Sequence, residues 1–211
     1  MINFIPVFPL GLVVYPGEIV PLHIFEPRYR QLIHDCAAQK KPLGIPAVMQ
    51  QQMQEMGTLV EVTEICKTYE SGEMDIKVQG IQVFRILELV RDIPGKLYQG
   101  AIVSYPANQL TGSRDLMLKL LEQTRYLHQL LQVEKKFTRP DDQLLTYDIA
   151  HHLGMTLEQE YELLHLMQER QRQEYIRRHL KQAIDTLEEM NQLRRKIQLN
   201  GHFRNLKGFD I

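Results

Sequence analysis

Residues 8–33 read FPLGLVVYPGEIVPLHIFEPRYRQLI, and they set the pattern for the whole chain. Pro9, Pro16, Pro21 and Pro27 each fix φ and remove a backbone donor, which excludes both a continuous helix and a central strand through this stretch. Short extended pieces remain. Leu12–Tyr15 and Ile19–Phe25 are rich in β-branched and aromatic residues, and Pro16-Gly17 between them suits the centre of a type II turn. The expectation is strand, turn, strand. Pro27 then occupies the first helical position that tolerates proline best, and Tyr29, Leu32, Ile33 and Cys36 follow at helical spacing.

Working outward, Gly44–Met49, Thr58–Tyr69, Glu73–Val78, Ile81–Leu89 and Tyr98–Tyr105 read as further short strands, with turn residues between them. Met74, Ile76 and Val78 alternate with Asp75 and Lys77, the period-two pattern of a half-buried strand, and Glu70-Ser71-Gly72 reads as the loop of a hairpin. Many short strands with one early helix imply a partly closed β-barrel or a sandwich, because closure removes exposed edges.

All ten prolines lie at or before Pro140, nine of them at or before Pro106, so the last third of the chain is free to be helical. Ser113 is a candidate N-cap for a helix with Leu116, Leu120, Leu121, Thr124, Leu127 and Leu131 on one face. A second helix is expected from Asp141 to Gly154, and Thr156 and Gln159 stand at capping-box spacing for a third. Ile176, Leu180, Ala183, Leu187 and Met190 then mark a long helix ending near Asn200-Gly201, either packed in a bundle or paired with a second copy as a weak dimer. The expected division is a β-rich domain over 1–107, a helical subdomain over 113–200 and a tail over 201–211.

The 211 residues are 44% hydrophobic with a formal net charge of -1, enough to fill one large or two small cores, with no broad basic field of the kind nucleic-acid binders carry. Cys36 and Cys66 form no C-x-x-C pair, so neither a zinc site nor a disulfide framework is indicated, and a cytoplasmic protein is expected. The apolar first residues lack a basic leader and are broken by Pro6 and Pro9, which argues against a signal peptide or a membrane span.

The FEPRYR motif at residues 25–30, and the order of elements after it, resembles the N-terminal domain of Lon proteases. Leu43-Gly44-Ile45, Gly57 leading into Leu59-Val60-Glu61-Val62, and Gly80-Ile81-Gln82-Val83-Phe84-Arg85-Ile86 continue the resemblance, and the helical part looks like the extension that follows in those proteins. Gly11-Leu12 stand where such domains usually have an arginine–asparagine pair, and Val83 where an arginine often precedes the aromatic. The resemblance implies an α+β fold: a PUA-like β-barrel or sandwich with one or two short helices, followed by a helical subdomain ending in a long helix. It also implies a module that binds unfolded polypeptide or a partner protein, with use as an adaptor in protein turnover.

Catalytic parts of a Lon protease are not found in the sequence. There is no G-x-x-x-x-G-K-[ST] loop, and Gly95-Lys96 is followed by leucine. Ser71, Ser104 and Ser113 are the three serines, and none lies in a G-x-S-x-G elbow or beside an activating lysine. A non-enzyme without cofactor or metal is expected. Glu162 and His165 form half of a di-metal motif with no second half, and adjacent His151 and His152 project apart on a helix.

Candidate interaction residues are His23, Glu26, Arg28 and Tyr29 around the motif, and Arg194, Arg195, Lys196, Arg204 and Lys207 towards the C-terminus. Glu26, Arg28 and Tyr29 are expected mainly to tie the first helix to neighbouring strands. The basic set supports an alternative, an RNA-binding module, and a small hydrolase with an unrecognised site is a further one. An apolar groove at the junction of barrel and helices is the expected contact surface.

Overall fold

The computed structural model describes the backbone of residues 3–137 and 139–205, with side chains as far as Gln198 in the last helix. Six strands form one antiparallel sheet: β1 (Asn3–Pro6), β2 (Ile19–Ile24), β3 (Leu43–Met49), β4 (Gln52–Thr68), β5 (Met74–Val90) and β6 (Gly100–Ser104). Their order is β1-β6-β5-β4-β3, with β2 lying on β5. The segment after β1 closes this sheet into a barrel. Parallel bridges join Val7 to Gly44 and Leu10 to Ala47, Phe8 N–H donates to Gly44 O (2.8 Å), and Leu10 N–H donates to Pro46 O (3.2 Å). Pro9 falls between these two donors, so its missing N–H costs no ladder bond.

The opening stretch forms its turn but not its hairpin. Gly17 has φ +88, and Glu18 N–H donates to Tyr15 O (3.1 Å), as a type II turn requires. The two arms do not pair. β2 takes its register from β5, Ile19 against Gln79 through Ile24 against Met74, while Val13, Val14 and Tyr15 run without a ladder and are buried in the core. A buried apolar run pulled towards a core gains more than an isolated two-stranded ribbon would.

Helix α1 (Pro27–Gln39) starts at the proline and buries Tyr29, Leu32, Ile33 and Cys36. Fully burying Leu32 and Ile33 contributes about 1.5–3 kcal/mol each. The expected hairpin loop is present, with Gly72 at φ +82 and its N–H donating to Tyr69 O (2.9 Å). Met74, Ile76 and Val78 point inward, as their alternation predicts. Gly80 does not end that strand, for β5 continues through it as one strand of 17 residues.

Helix α2 (Arg114–Leu131) is capped by Ser113, whose hydroxyl accepts from Leu116 N–H (3.3 Å). The helix expected from Asp141 to Gly154 is reduced to α3 (Thr146–Ile149) and one 3-10 turn (Ala150–His152). Helix α4 (Leu157–His165) begins with the reciprocal bonds of a capping box, Gln159 N–H to Thr156 Oγ1 (3.3 Å) and Thr156 N–H to Gln159 Oε1 (2.9 Å). Helix α5 (Glu169–Asn205) continues past Asn200-Gly201. Ile176 and Leu180 are fully buried against the other helices, whereas Met190, Leu193 and Ile197 are 46%, 59% and 61% exposed. Among the described residues no helix is long and apolar enough to cross a membrane.

Candidate functional site

The residues singled out in the sequence fall on separate elements. On β2, His23 Nδ1 lies 2.7 Å from Asp75 Oδ1, and Asp75 Oδ2 accepts from the Tyr69 hydroxyl (2.7 Å). Glu26 and Arg28 pair with each other at 2.7 Å on the surface and do not bridge to strands, because Arg28 turns its guanidinium over the Tyr29 ring, 4.4 Å from the centroid. Tyr29 itself is buried against Phe8, with ring centroids 4.2 Å apart. The tie from α1 to the sheet comes instead from Arg30, which donates to Ser71 O in the hairpin loop. Arg194, Arg195 and Lys196 are exposed on α5, the side chain of Arg204 lies outside the described residues, and so does Lys207.

No half of a metal site assembles around Glu162 and His165. Glu162 accepts from the Tyr175 hydroxyl (2.8 Å), and His165 Nδ1 lies 2.9 Å from the Tyr161 carbonyl oxygen. Among the described residues no three His, Cys, Asp or Glu side chains are placed to hold an ion.

Where a groove was expected between barrel and helices, the structure has a packed core. Val13, Tyr15, Ala47, Met56 and Val83 from the barrel share one hydrophobic cluster with Tyr147, Leu163, Leu164 and Ile176. Tyr15 stacks on Tyr147 at 5.1 Å and donates its hydroxyl to Glu160 O (3.0 Å), while the Tyr161 hydroxyl accepts from Met56 N–H (3.1 Å). Burial pushes the Tyr15 phenol far above its ordinary pKa, so it remains a neutral donor.

At the edge of this junction His151 bridges both parts. Its Nδ1 is 2.7 Å from Glu160 Oε1 on α4 and its Nε2 is 3.2 Å from Glu18 Oε2 in the turn. Burial lowers the imidazole pKa, but the bonds to Glu160 and Glu18 outweigh it and raise the pKa from 6.5 to about 10. A raised folded pKa stabilises fully below pH 6.5, and that contribution is lost as pH climbs through 10. The group is partly exposed, so the screened effect is on the order of 1 kcal/mol. Thermal unfolding of wild type and His151→Gln should therefore differ most below pH 6.5 and converge towards pH 10. A gap that stays constant over that range would remove the bridge from the account.

The open surface lies elsewhere. A cleft of about 480 Å³ separates β1 from the second half of α1 and the loop before β6, a size within the range of ligand pockets. Ile93, Tyr98 and Tyr105 supply apolar wall, and Phe4 stands at its rim 48% exposed. The loop is a fixed wall, since Gln31 of α1 donates to Gly95 O (3.1 Å) and accepts from Leu97 N–H (2.7 Å).

Asp35 in this wall takes the Lys96 ammonium at 2.8 Å and the Tyr98 hydroxyl at 2.8 Å. The Lys96 bond, followed by that of Tyr98, holds the Asp35 carboxyl below the usual range, while burial and the Asp35 bond push the Tyr98 phenol up. Because Lys96 is committed to Asp35, Lys41 is the cation left facing the cleft among the described residues. Sequence reading missed this site. Its wall comes from three distant segments, and Asn3–Pro6 is too short and too close to two prolines to register as a strand. The arrangement offers apolar surface, fixed hydrogen-bonding groups and one cation, which suits binding.

A family model described as the ATP-dependent protease La (LON) substrate-binding domain matches residues 5–182. Lon protease 2 of Myxococcus xanthus is 29% identical over 101 residues, a match that takes in 43% of this chain and 12% of that protein. The Lon N-terminal domain protein from Xanthomonas campestris has a TM-score of 0.61 to this structure at 23% identity, over 82% of this chain and 96% of that one. The N-terminal domain of the Mycobacterium avium complex Lon protease gives 0.62 at 16% identity, over 85% and 98%. At these identities the two structures bear on the fold alone.

Proposed function

The chain belongs to the LON substrate-binding domain family, and from that premise we propose that it is a non-catalytic module that holds unfolded polypeptide, serving as an adaptor in protein turnover. The observation that carries this reading is the cleft beside β1, where aromatic wall, an exposed Phe4 and Lys41, which has no acidic partner among the described residues, stand beside a loop that Gln31 holds to α1. Preformed surface of this kind avoids part of the ordering cost that weakens most peptide binding.

The test uses α-lactalbumin in two forms, reduced and carboxymethylated so that it stays unfolded, and native with its disulfides. Fluorescence anisotropy should give saturable binding to the unfolded form, about tenfold or more tighter than to the native one. Equal or absent binding to both would remove the reading.

The exposed Arg194, Arg195 and Lys196 support a second reading, as a module that binds RNA through α5. It predicts affinity for RNA that falls steeply with salt and is lost when the three are neutralised. In the polypeptide reading that triple variant binds unfolded lactalbumin as the wild type does.

A further inference from the structure

The second half of α5 loses the cover that the bundle gives its first half. Ile176 and Leu180 are fully buried, Ala183, Ile184 and Leu187 partly so, and the Tyr126 hydroxyl near the end of α2 donates to Glu188 Oε1 (2.6 Å). Beyond that point the apolar stripe continues uncovered. Met190, Leu193 and Ile197 follow at steps of three and four, the spacing of a coiled-coil seam, and each is about half exposed or more.

The charges beside this stripe fall into two blocks, Asp185, Glu188 and Glu189 at its start and Arg194, Arg195 and Lys196 towards its end. Ion pairs within a helix form at i+3 and i+4, and no acid of the first block has a base of the second at that spacing. Among the described residues none of the six enters an ion pair, whereas Glu174, earlier in the same helix, takes Arg177 at 2.8 Å and Arg178 at 3.0 Å. Asp185 and Glu189 stand at i and i+4, where like charges oppose the helix. The stretch therefore carries both apolar surface and charge that its own chain leaves unmatched.

We propose that residues 185–198 pair antiparallel with the same stretch of a second copy, the two-fold axis passing between Asn191 and Gln192. In that register Met190 faces Leu193 of the second copy and Thr186 faces its Ile197, so the stripe meets itself. Glu189 lies level with Arg194 of the second copy and Glu188 with its Arg195, and each acidic block meets a basic one. A parallel pair in register would set each block beside its own kind. A two-fold interface uses one patch twice and must be complementary to itself, which opposite charge at the two ends of one stripe provides. Only about 20 Å of helix is involved, so the interface is small and the dimer is weak, in the micromolar range.

Sedimentation velocity of the full chain between about 1 and 200 μM should show a reversible passage from monomer to dimer that weakens as salt is raised. Leu193→Glu places a carboxylate on the exposed stripe and should raise the dissociation constant about tenfold or more, with the circular dichroism spectrum unchanged. Glu189→Lys and Arg194→Glu should each weaken self-association, and mixing the two variants should restore it as a heterodimer. For orientation, the exposed Cys66 is first replaced by serine, Cys36 being buried. Thr186→Cys and Ile197→Cys should then form a disulfide with each other when mixed under mild oxidation, and neither should link to itself.

A chain that remains monomeric to about 200 μM overturns the proposal. Dimerisation that Leu193→Glu leaves intact does so too, because the contact would lie on another face. Thr186→Cys linking to itself would mean a parallel pair, and the charge argument would fall with it.

Discussion

Replacing Arg172 by methionine is expected to cost about 3–5 kcal/mol of folding stability. Arg172 and Glu169 are both fully buried, paired at 2.8 Å near the start of α5. The guanidinium also donates to Asn108 Oδ1 (2.8 Å), Leu166 O (2.6 Å), Gln109 O (3.1 Å) and Thr146 Oγ1 (3.1 Å), and it lies 4.2 Å over the Tyr147 ring. One side chain thus joins the segment leaving the barrel, the start of α3, the end of α4 and the first turn of α5.

Removing it leaves the Glu169 carboxylate buried with only Thr146 to satisfy it, through Thr146 N–H (2.9 Å) and its hydroxyl (2.7 Å), and leaves two backbone carbonyls without that donor. An uncompensated buried charge is the costly part, so the double replacement Glu169→Met with Arg172→Met should recover a good share of the loss. Urea unfolding measures both. Since domains are typically stable by about 5–15 kcal/mol in total, the single variant should also be cut readily by protease between Ala107 and Ser113. A loss below about 1 kcal/mol would mean that this network orders the helices without stabilising them.

What the sequence made legible was local. The Pro16-Gly17 turn, the start of α1 at Pro27, the Ser113 cap, the Thr156 capping box and the alternation of Met74, Ile76 and Val78 each depend on residues within a few positions of one another. The pairing of β2 with β5, the use of Phe8 to Leu10 to close the barrel and the convergence on Arg172 depend on segments tens of residues apart, and no short-range pattern encodes them.

Charge made the same distinction harder. Arg172 sits in ERQRQEYIRRH, where it looks like one more residue of a solvated helix face, yet it is fully buried, while Arg28 in the family motif lies on the surface. The conspicuous motif thus builds the frame, and the candidate site lies beside β1, which carries no motif at all.

Gly80→Ala is the second large expected effect, and it follows from the same opening stretch. The turn Tyr15–Glu18 lies directly on β5 at this glycine: Gly17 N–H donates to Gly80 O (2.8 Å) and Gly80 N–H donates to Glu18 O (2.9 Å). A Cβ at position 80 would be driven into the Tyr15 carbonyl oxygen, a backbone atom that cannot rotate aside. The turn would have to lift, giving up two hydrogen bonds at about 0.5–1.5 kcal/mol each and adding overpacking strain of about 1–3 kcal/mol, for a total of about 2–6 kcal/mol.

Lifting the turn would also move Tyr15 out of the shared core and Glu18 away from His151, so the loss should come with a flattened pH dependence between 6.5 and 10. Gly11→Ala is the control, because a Cβ there meets nothing within 4 Å, and it should stay within about 0.5 kcal/mol of wild type. If Gly80→Ala matched that control, the turn would be resting on β5 without depending on it, and the need for glycine at position 80 would have to come from the kink of β5 opposite the register shift at Leu59/Val60.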